Sequence, residues 1–163
     1  MRFYHIKDDY INFLRSFDKK VAENKQESRP YVGIVLEIDN IKYYAPFTSP
    51  KPKHQKMKNS KDFRKINHGI YGAINFNNMI PVLEDALIEI DINHLQDVQY
   101  KNLLLNQLSY VNSDRIQIEK TAKNLRNLIC TETSSLSKYD VQVKERCCNL
   151  KVLEKEYKNF KAV

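Results

Sequence analysis

Tryptophan is missing from these 163 residues, glycine appears three times and proline five times. So few glycines leave no P-loop and no dinucleotide fingerprint, both of which use glycines to bring backbone close to phosphates. Cysteine is equally thin. Cys130, Cys147 and Cys148 form an odd number, show no CxxC or Cys/His zinc spacing, and include a neighbouring pair poorly placed for a strain-free bridge. Free thiols are expected. No apolar run approaches the roughly 18 residues of a membrane span, and Met1-Arg2-Phe3-Tyr4-His5 lacks the apolar centre of a signal peptide. The chain therefore reads as soluble and cytoplasmic. Acidic residues are scattered, which argues against the clustered carboxylates of a two-metal nuclease, and neither a Ser-His-Asp order nor a Gly-x-Ser-x-Gly elbow occurs. No metal and no cofactor are expected.

What is present is a folding composition with one concentrated charge. Hydrophobic residues make up 42% and aromatics 10%, enough for a core, and the length suits a single domain spanning 1–163. Between Lys51 and Lys65 stand seven Lys or Arg against one acid, Asp62, whereas the rest of the chain holds 20 basic and 19 acidic residues. The net charge of +7 is thus almost wholly the property of one segment, the electrostatic footprint of a polyanion site. Ten tyrosines serve core packing and base stacking alike, so Tyr31, Tyr71 and Tyr100 stand as stacking candidates.

Strand and helix periodicities divide the chain into a sheet half and a helical half. Residues 2–6 read as a strand, and Tyr10, Phe13, Leu14, Phe17 and Val21 as one helix face with Asp8 or Asp9 as N-cap. Tyr31–Ile38 and Ile41–Phe47 flank Asp39-Asn40 as a hairpin, with Pro46 predicting an edge position or an irregular end for its second strand. Of Tyr43 and Tyr44, which alternate, one is expected in the core and the other towards ligand. A basic loop spans 48–68. Strands follow at 70–76, 79–82 and 86–92, then helical rows carrying Tyr100, Leu103, Leu104, Gln107, Leu108 and Val111, and Ile118, Ala122, Leu125, Leu128 and Ile129, which read as two helices or one long kinked helix around Ser113–Ile116. A polar connection at 131–140 leads to a last helix with Leu150, Leu153, Tyr157 and Phe160 on one face. Strands first and helices later predict an α+β domain, a twisted antiparallel sheet covered by helices.

The candidate site is Thr48-Ser49-Pro50-Lys51-Pro52-Lys53-His54, where a strand gives way to a proline-stiffened basic loop. Hydroxyls before proline are ordinary turn chemistry, and a charge run is ordinarily a solvated face. The shortage of acids among these cations favours a phosphate ligand. Lys51 and Lys53 suit charge stabilisation, His54 proton transfer or RNA contact, and Lys56 and Lys58 backbone binding. From these residues alone the reading reaches a nucleic-acid-binding domain and no reaction. A non-catalytic RNA-binding module and a protein adaptor with an acidic partner both remain open.

Several segments, in order and across nearly the whole chain, resemble one family. They are Phe3-Tyr4-x-Ile6 with Tyr10, Gly33–Ile38, Lys42–Lys51 (KYYAPFTSPK), Gly72-Ala73-Ile74-Asn75, Met79-Ile80-Pro81, Ser113-Asp114-Arg115-Ile116, Leu125-Arg126-Asn127-Leu128 and Tyr157–Phe160. The pattern is similar to the endoribonuclease toxins of type III toxin–antitoxin systems, the ToxN, AbiQ and CptN group. The resemblance implies a MazF/Kid-like fold, with the sheet forming a partial barrel among helices, and metal-independent cleavage of single-stranded, A-rich RNA. It further implies inhibition by a repetitive RNA antitoxin folded as pseudoknots, a closed protein–RNA assembly, and a role in growth arrest or phage defence. It places Thr48, Ser49 and Lys51 in the active site and Arg29 at an RNA-contacting position, with Lys53 and His54 in the continuing basic loop. The stretch around 131–148 looks like an insertion relative to that pattern.

Overall fold

The structure, a computed structural model, describes residues 1–162. Its sheet runs in the order β4-β5-β3-β2-β1-β7, with β6 pairing β3 off that path, and every pairing is antiparallel. The strands are β1 (Arg2–Ile6), β2 (Tyr31–Ile38), β3 (Ile41–Thr48), β4 (Phe63–Lys65), β5 (Ala73–Asn75), β6 (Ile80–Pro81) and β7 (Leu87–Glu89). Helices α1 (Asp8–Phe17), α3 (Val98–Ser113), α4 (Arg115–Cys130), α5 (Lys138–Arg146) and α6 (Leu150–Glu156) complete the α+β architecture, and a one-turn α2 (Pro52–Lys56) sits in the basic segment. No described helix is long and apolar enough to cross a membrane.

The hairpin forms as its sequence dictates. Asp39 and Asn40 both take positive φ, 51° and 62°, the geometry in which a two-residue turn matches the twist of its flanking strands. Pro46 does not mark an edge, because β3 lies centrally between β2 and β5. The proline is tolerated for a local reason. On the side away from β2, β6 pairs with Tyr43 and Tyr44 while β5 begins at Phe47, so Pro46 falls in the gap where β3 changes partner.

Other expectations need correction. Lys7, not Asp8 or Asp9, occupies the N-cap of α1; the two aspartates fill the first helical turn, where their charge favours the helix N-terminus. The helix ends at Phe17, and Val21 reaches the core from the following turn. Tyr43 and Tyr44 are both buried: the Tyr43 hydroxyl donates to Glu154 on α6, and Tyr44 packs edge-on against Tyr4. Neither faces a ligand, because both faces of the hairpin are covered at this point. The strand expected at 70–76 shrinks to Ala73–Asn75, since Asn67-His68-Gly69 form a tight turn and Gly69 and Gly72 take φ of 90° and 94°. Helix α5 was hidden by its polarity; Val143 alone of its residues is buried. The three cysteines are free, and burial pushes the Cys147 and Cys148 thiols up to about 12, so both behave as packing residues.

The basic segment is not a loose loop. Arg64 grips Asp114, at the break between α3 and α4, through two hydrogen bonds of 2.5 and 2.7 Å, and Arg146 grips the buried Asp62 through two of 2.7 Å. Lys61 reaches Asp140 at 2.5 Å. These partners, 50 to 84 residues away, tie β4 to the helical half. Burial alone would push the Asp62 carboxyl up, but the Arg146 hydrogen bonds and charge, with the Ser60 hydroxyl, outweigh it and hold Asp62 below the usual carboxylate range. A depressed carboxyl stabilises the fold above its unfolded pKa near 4, and that contribution is lost as pH falls through the folded value. Asp62→Asn is therefore expected to lower the melting temperature at pH 7 and to flatten its decline in acid below about pH 4. An acid limb as steep as that of the parent would place the sensitivity elsewhere.

Gly72 fixes the start of the basic segment. A Cβ there would lie 1.9 Å from the Thr48 carbonyl oxygen, on a residue whose φ already excludes most side chains. Gly69 approaches the His54 backbone in the same manner, its virtual Cβ 2.7 Å from the His54 carbonyl. The chain thus packs backbone against backbone beneath Thr48 and His54. Gly72→Ala is expected to destabilise the protein by about 2 kcal/mol or more, read as a lower denaturation midpoint at unchanged slope.

Candidate active site

The end of β3, the turn before β2 and one face of α3 enclose a cleft of about 310 Å³. Thr48, Ser49 and Lys51 line it from β3 and its exit. Lys25, Ser28 and Arg29 line it from the preceding turn, and Tyr100, Leu104 and Gln107 from α3. Three cations and no carboxylate line this cleft, so its field favours an anion.

The turn that carries Lys25 and Arg29 is held in an uncommon shape. Lys25, Gln26 and Glu27 all take φ between 52° and 58°, a left-handed run that non-glycine residues adopt only when their surroundings enforce it. Asp8 supplies the enforcement. Its Oδ1 accepts from the Glu27 amide at 3.1 Å and from the Asn24 side-chain amide at 2.7 Å, while its own amide donates to Glu27 Oε1. Arg29 is steadied by its Nε–H, which donates to the Glu23 carbonyl at 2.7 Å.

On the opposite segment, Ser49 and Lys51 are exposed, whereas the Thr48 Oγ1 is buried without a hydrogen-bond partner among the described residues. An unpaired buried hydroxyl costs stability, and a ligand that pairs it recovers that cost. His54 explains how Lys51 is held. Its ring is 4% exposed, beside Phe63 at 6.0 Å between centroids, and its Nδ1 accepts the Lys51 backbone N–H at 3.2 Å. Burial lowers the His54 pKa, with the Lys53 and Lys51 charges adding to the effect, so near pH 7 the ring is neutral and Nδ1 is an acceptor. His54 in this position anchors the start of α2 and offers little surface to RNA.

The structure therefore brings together five of the residues singled out in the sequence, Thr48, Ser49, Lys51, Arg29 and Tyr100, at one cleft. It leaves Lys53, Lys56 and Lys58 exposed on and after α2, outside the cleft lining. Tyr31 is wholly buried, which removes it from base stacking: as the first residue of β2 it pairs with Pro46, inside the sheet rather than on its rim. Tyr71 is half-buried, and its carbonyl accepts from Gln107 Nε2 at 2.7 Å. Lys25, Ser28 and Gln107 were missed. For Gln107 a signal existed, a polar residue standing in the apolar row of α3.

The comparisons with known proteins cover nearly the whole chain. The family model for toxin ToxN of the type III toxin–antitoxin system matches residues 2–158. The endoribonuclease ToxN of Pectobacterium atrosepticum is 33% identical over 170 residues, covering 98% of this chain and 94% of that protein. A solved structure described as selective toxin inhibition by a non-coding RNA pseudoknot superposes with a TM-score of 0.85 at 31% identity, covering 99% of this chain and 98% of that one. The structure of AbiQ, a lactococcal anti-phage endoribonuclease of a type III system, gives a TM-score of 0.77 at 26% identity over 97% of this chain and 96% of that one. With a match of this extent running through the KYYAPFTSPK strand and the cleft it builds, the chain belongs to the ToxN toxin family of type III toxin–antitoxin systems.

Proposed function

We propose that this protein is an endoribonuclease toxin, one domain across its length, that cuts single-stranded, A-rich RNA without a metal ion and is inhibited by a pseudoknot-forming RNA antitoxin. The observation that carries the reading is the convergence of two hydroxyls, Thr48 and Ser49, and three cations, Lys25, Arg29 and Lys51, on one cleft. Relatives named as endoribonucleases, and a related toxin solved with an inhibitory RNA pseudoknot, support it. Growth arrest or phage defence in the cytoplasm is the corresponding role, and a closed protein–RNA assembly the corresponding inhibited state. The implied kinship with MazF/Kid proteins, including a partial barrel, belongs to the same proposal; the sheet path observed here is open, with β4 and β7 at its ends.

In this reading the nucleophile comes from the RNA. The 2′-oxygen bonds to the adjacent phosphorus as the bond to the 5′-oxygen breaks, the 2′-hydroxyl gives up its proton and the departing 5′-oxygen gains one. The products are a 2′,3′-cyclic phosphate and a 5′-hydroxyl. Lys51 stabilises the extra negative charge on the phosphorane, its backbone held by His54 and its ammonium close to water until the RNA covers the cleft. Arg29 and Lys25 hold the flanking phosphates. The buried Thr48 hydroxyl, without a partner among the described residues, and Ser49 orient the reacting ribose and phosphate. Lys53, Lys56 and Lys58 supply salt-sensitive RNA affinity outside the cleft.

Incubation of the purified protein with an A-rich RNA in EDTA tests this reading. Cleavage is expected to persist, with mass spectrometry showing a cyclic phosphate on each upstream fragment. Salt-sensitive binding without cutting would make the protein an RNA-binding module instead, and loss of cutting in EDTA would overturn the metal-free chemistry.

A further inference from the structure

Gln107 is one of five polar or charged residues in the buried set, 1% exposed on the face of α3 that lines the cleft. Its amide orientation is fixed, because Nε2 donates to the Tyr71 carbonyl at 2.7 Å. That leaves Oε1 as the other end of the same amide, buried and without a partner among the described residues. Tyr100, Leu104 and Gln107 follow one another at i, i+4 and i+7 on one helical face that lines the cleft, the Tyr100 ring half-buried and Leu104 and the lone Gln107 acceptor buried behind it. The cations line that cleft from β3 and the 25–29 turn, so phosphates have their own wall.

Taken together these features describe a nucleobase pocket. A base ring stacks against the half-buried Tyr100, and as the cleft side chains adjust, the Gln107 acceptor tests its edge for a donor. We propose that Gln107 is a specificity residue that accepts a hydrogen bond from the exocyclic amino group of a nucleobase next to the scissile phosphate, favouring adenine or cytosine over bases that present a carbonyl there. Oε1 is closed to water in the free protein. When a base enters and the cleft side chains adjust, the donor meets an acceptor with no hydration to surrender, and a base without the amine leaves Oε1 unpaired. The inference deepens the endoribonuclease reading and rests on it.

The test is an atom-level scan of an RNA that the protein cuts. At each nucleotide flanking the scissile phosphate, adenosine is replaced by purine riboside, or cytidine by its 4-deamino analogue, so that only the amino group is lost. The wild-type rate is expected to fall roughly ten- to hundredfold at one position, the range set by one buried acceptor left unpaired. Gln107→Leu is expected to cut the amino and deaminated RNAs at equal rates at that position. The scan on the wild type needs no variant, so poor folding of Gln107→Leu does not shield the idea. Wild-type rates that ignore the amine at every position overturn it. So does a folded Gln107→Leu protein that keeps the full discrimination. Affinities for the same oligonucleotides carrying 2′-methoxy riboses give the ratio without cutting. Failure of the endoribonuclease reading would then appear as intact discrimination in binding with no cleavage.

Discussion

An RNA carrying a single 2′-deoxy nucleotide immediately 5′ of the scissile phosphate is expected to bind this protein with little change and to be cut at that bond at least about 10⁴-fold more slowly. Enzymes commonly supply accelerations of 10⁶-fold or more, and removing the attacking oxygen forfeits essentially all of it at one bond. Binding survives because the cleft's cations and the exposed lysines of α2 address phosphates, which the substitution leaves alone. Measuring single-turnover cleavage and affinity on the same pair of oligonucleotides separates the two effects. Equal cutting of the deoxy and ribo forms would mean that water or a protein group attacks, and Thr48, Ser49 and Lys51 would then need other roles.

Ser49→Ala and Lys51→Ala are expected to be the most damaging single substitutions that leave the fold intact. Both side chains are exposed, so each change should alter stability by about 0.5 kcal/mol or less. Cleavage should nonetheless fall on the order of 10²- to 10³-fold, the usual loss when one group that stabilises a transition-state charge is removed. Both proteins should lose toxicity to growing cells while retaining RNA binding. The two losses should not add, because Lys51 is placed by the same Thr48–Pro52 segment that carries Ser49, and groups that act as a unit fail together. A folded Ser49→Ala protein with undiminished toxicity would take the serine out of the site.

His54 separates structural from catalytic damage at this site. Its buried Nδ1 accepts the Lys51 amide, so its loss acts through the position of Lys51. Gly72 acts from beneath in the same way, through the Thr48 carbonyl. The candidate segment is thus held at one end by the Gly72 backbone and at the other by the His54 ring, and Ser49 and Lys51 stay exposed.

Most of the sheet was legible from residue pattern alone. The Asp39-Asn40 turn between two apolar runs specified the β2–β3 hairpin, because positive φ at both turn residues is a local property of those residue types. Helices α3 and α4 followed from apolar spacing, which the buried rows Leu104, Val111 and Ile118, Ala122, Leu125, Ile129 reproduce. Thr48, Ser49 and Lys51 drew notice as hydroxyls and lysines adjacent in the chain, and the resemblance to the toxin family, not local pattern, assigned them to a site. What the sequence could not reveal is which distant residues complete the cleft. Lys25 arrives through a left-handed turn enforced by Asp8, and Gln107 arrives on a helix 36 positions beyond Tyr71. Nor did local sequence reveal that Arg64, Lys61 and Asp62 are held by Asp114, Asp140 and Arg146, so that part of an apparently free basic loop is structural. Tyr31 and His54 turned inward for the same reason. Periodicity and turn chemistry are short-range and act within a few residues, so the sequence by itself determined most strands, the α3 and α4 helices and the candidate segment. Ion pairing, burial and the convergence of cleft walls depend on contacts between segments far apart in the chain, and these only the tertiary structure decided.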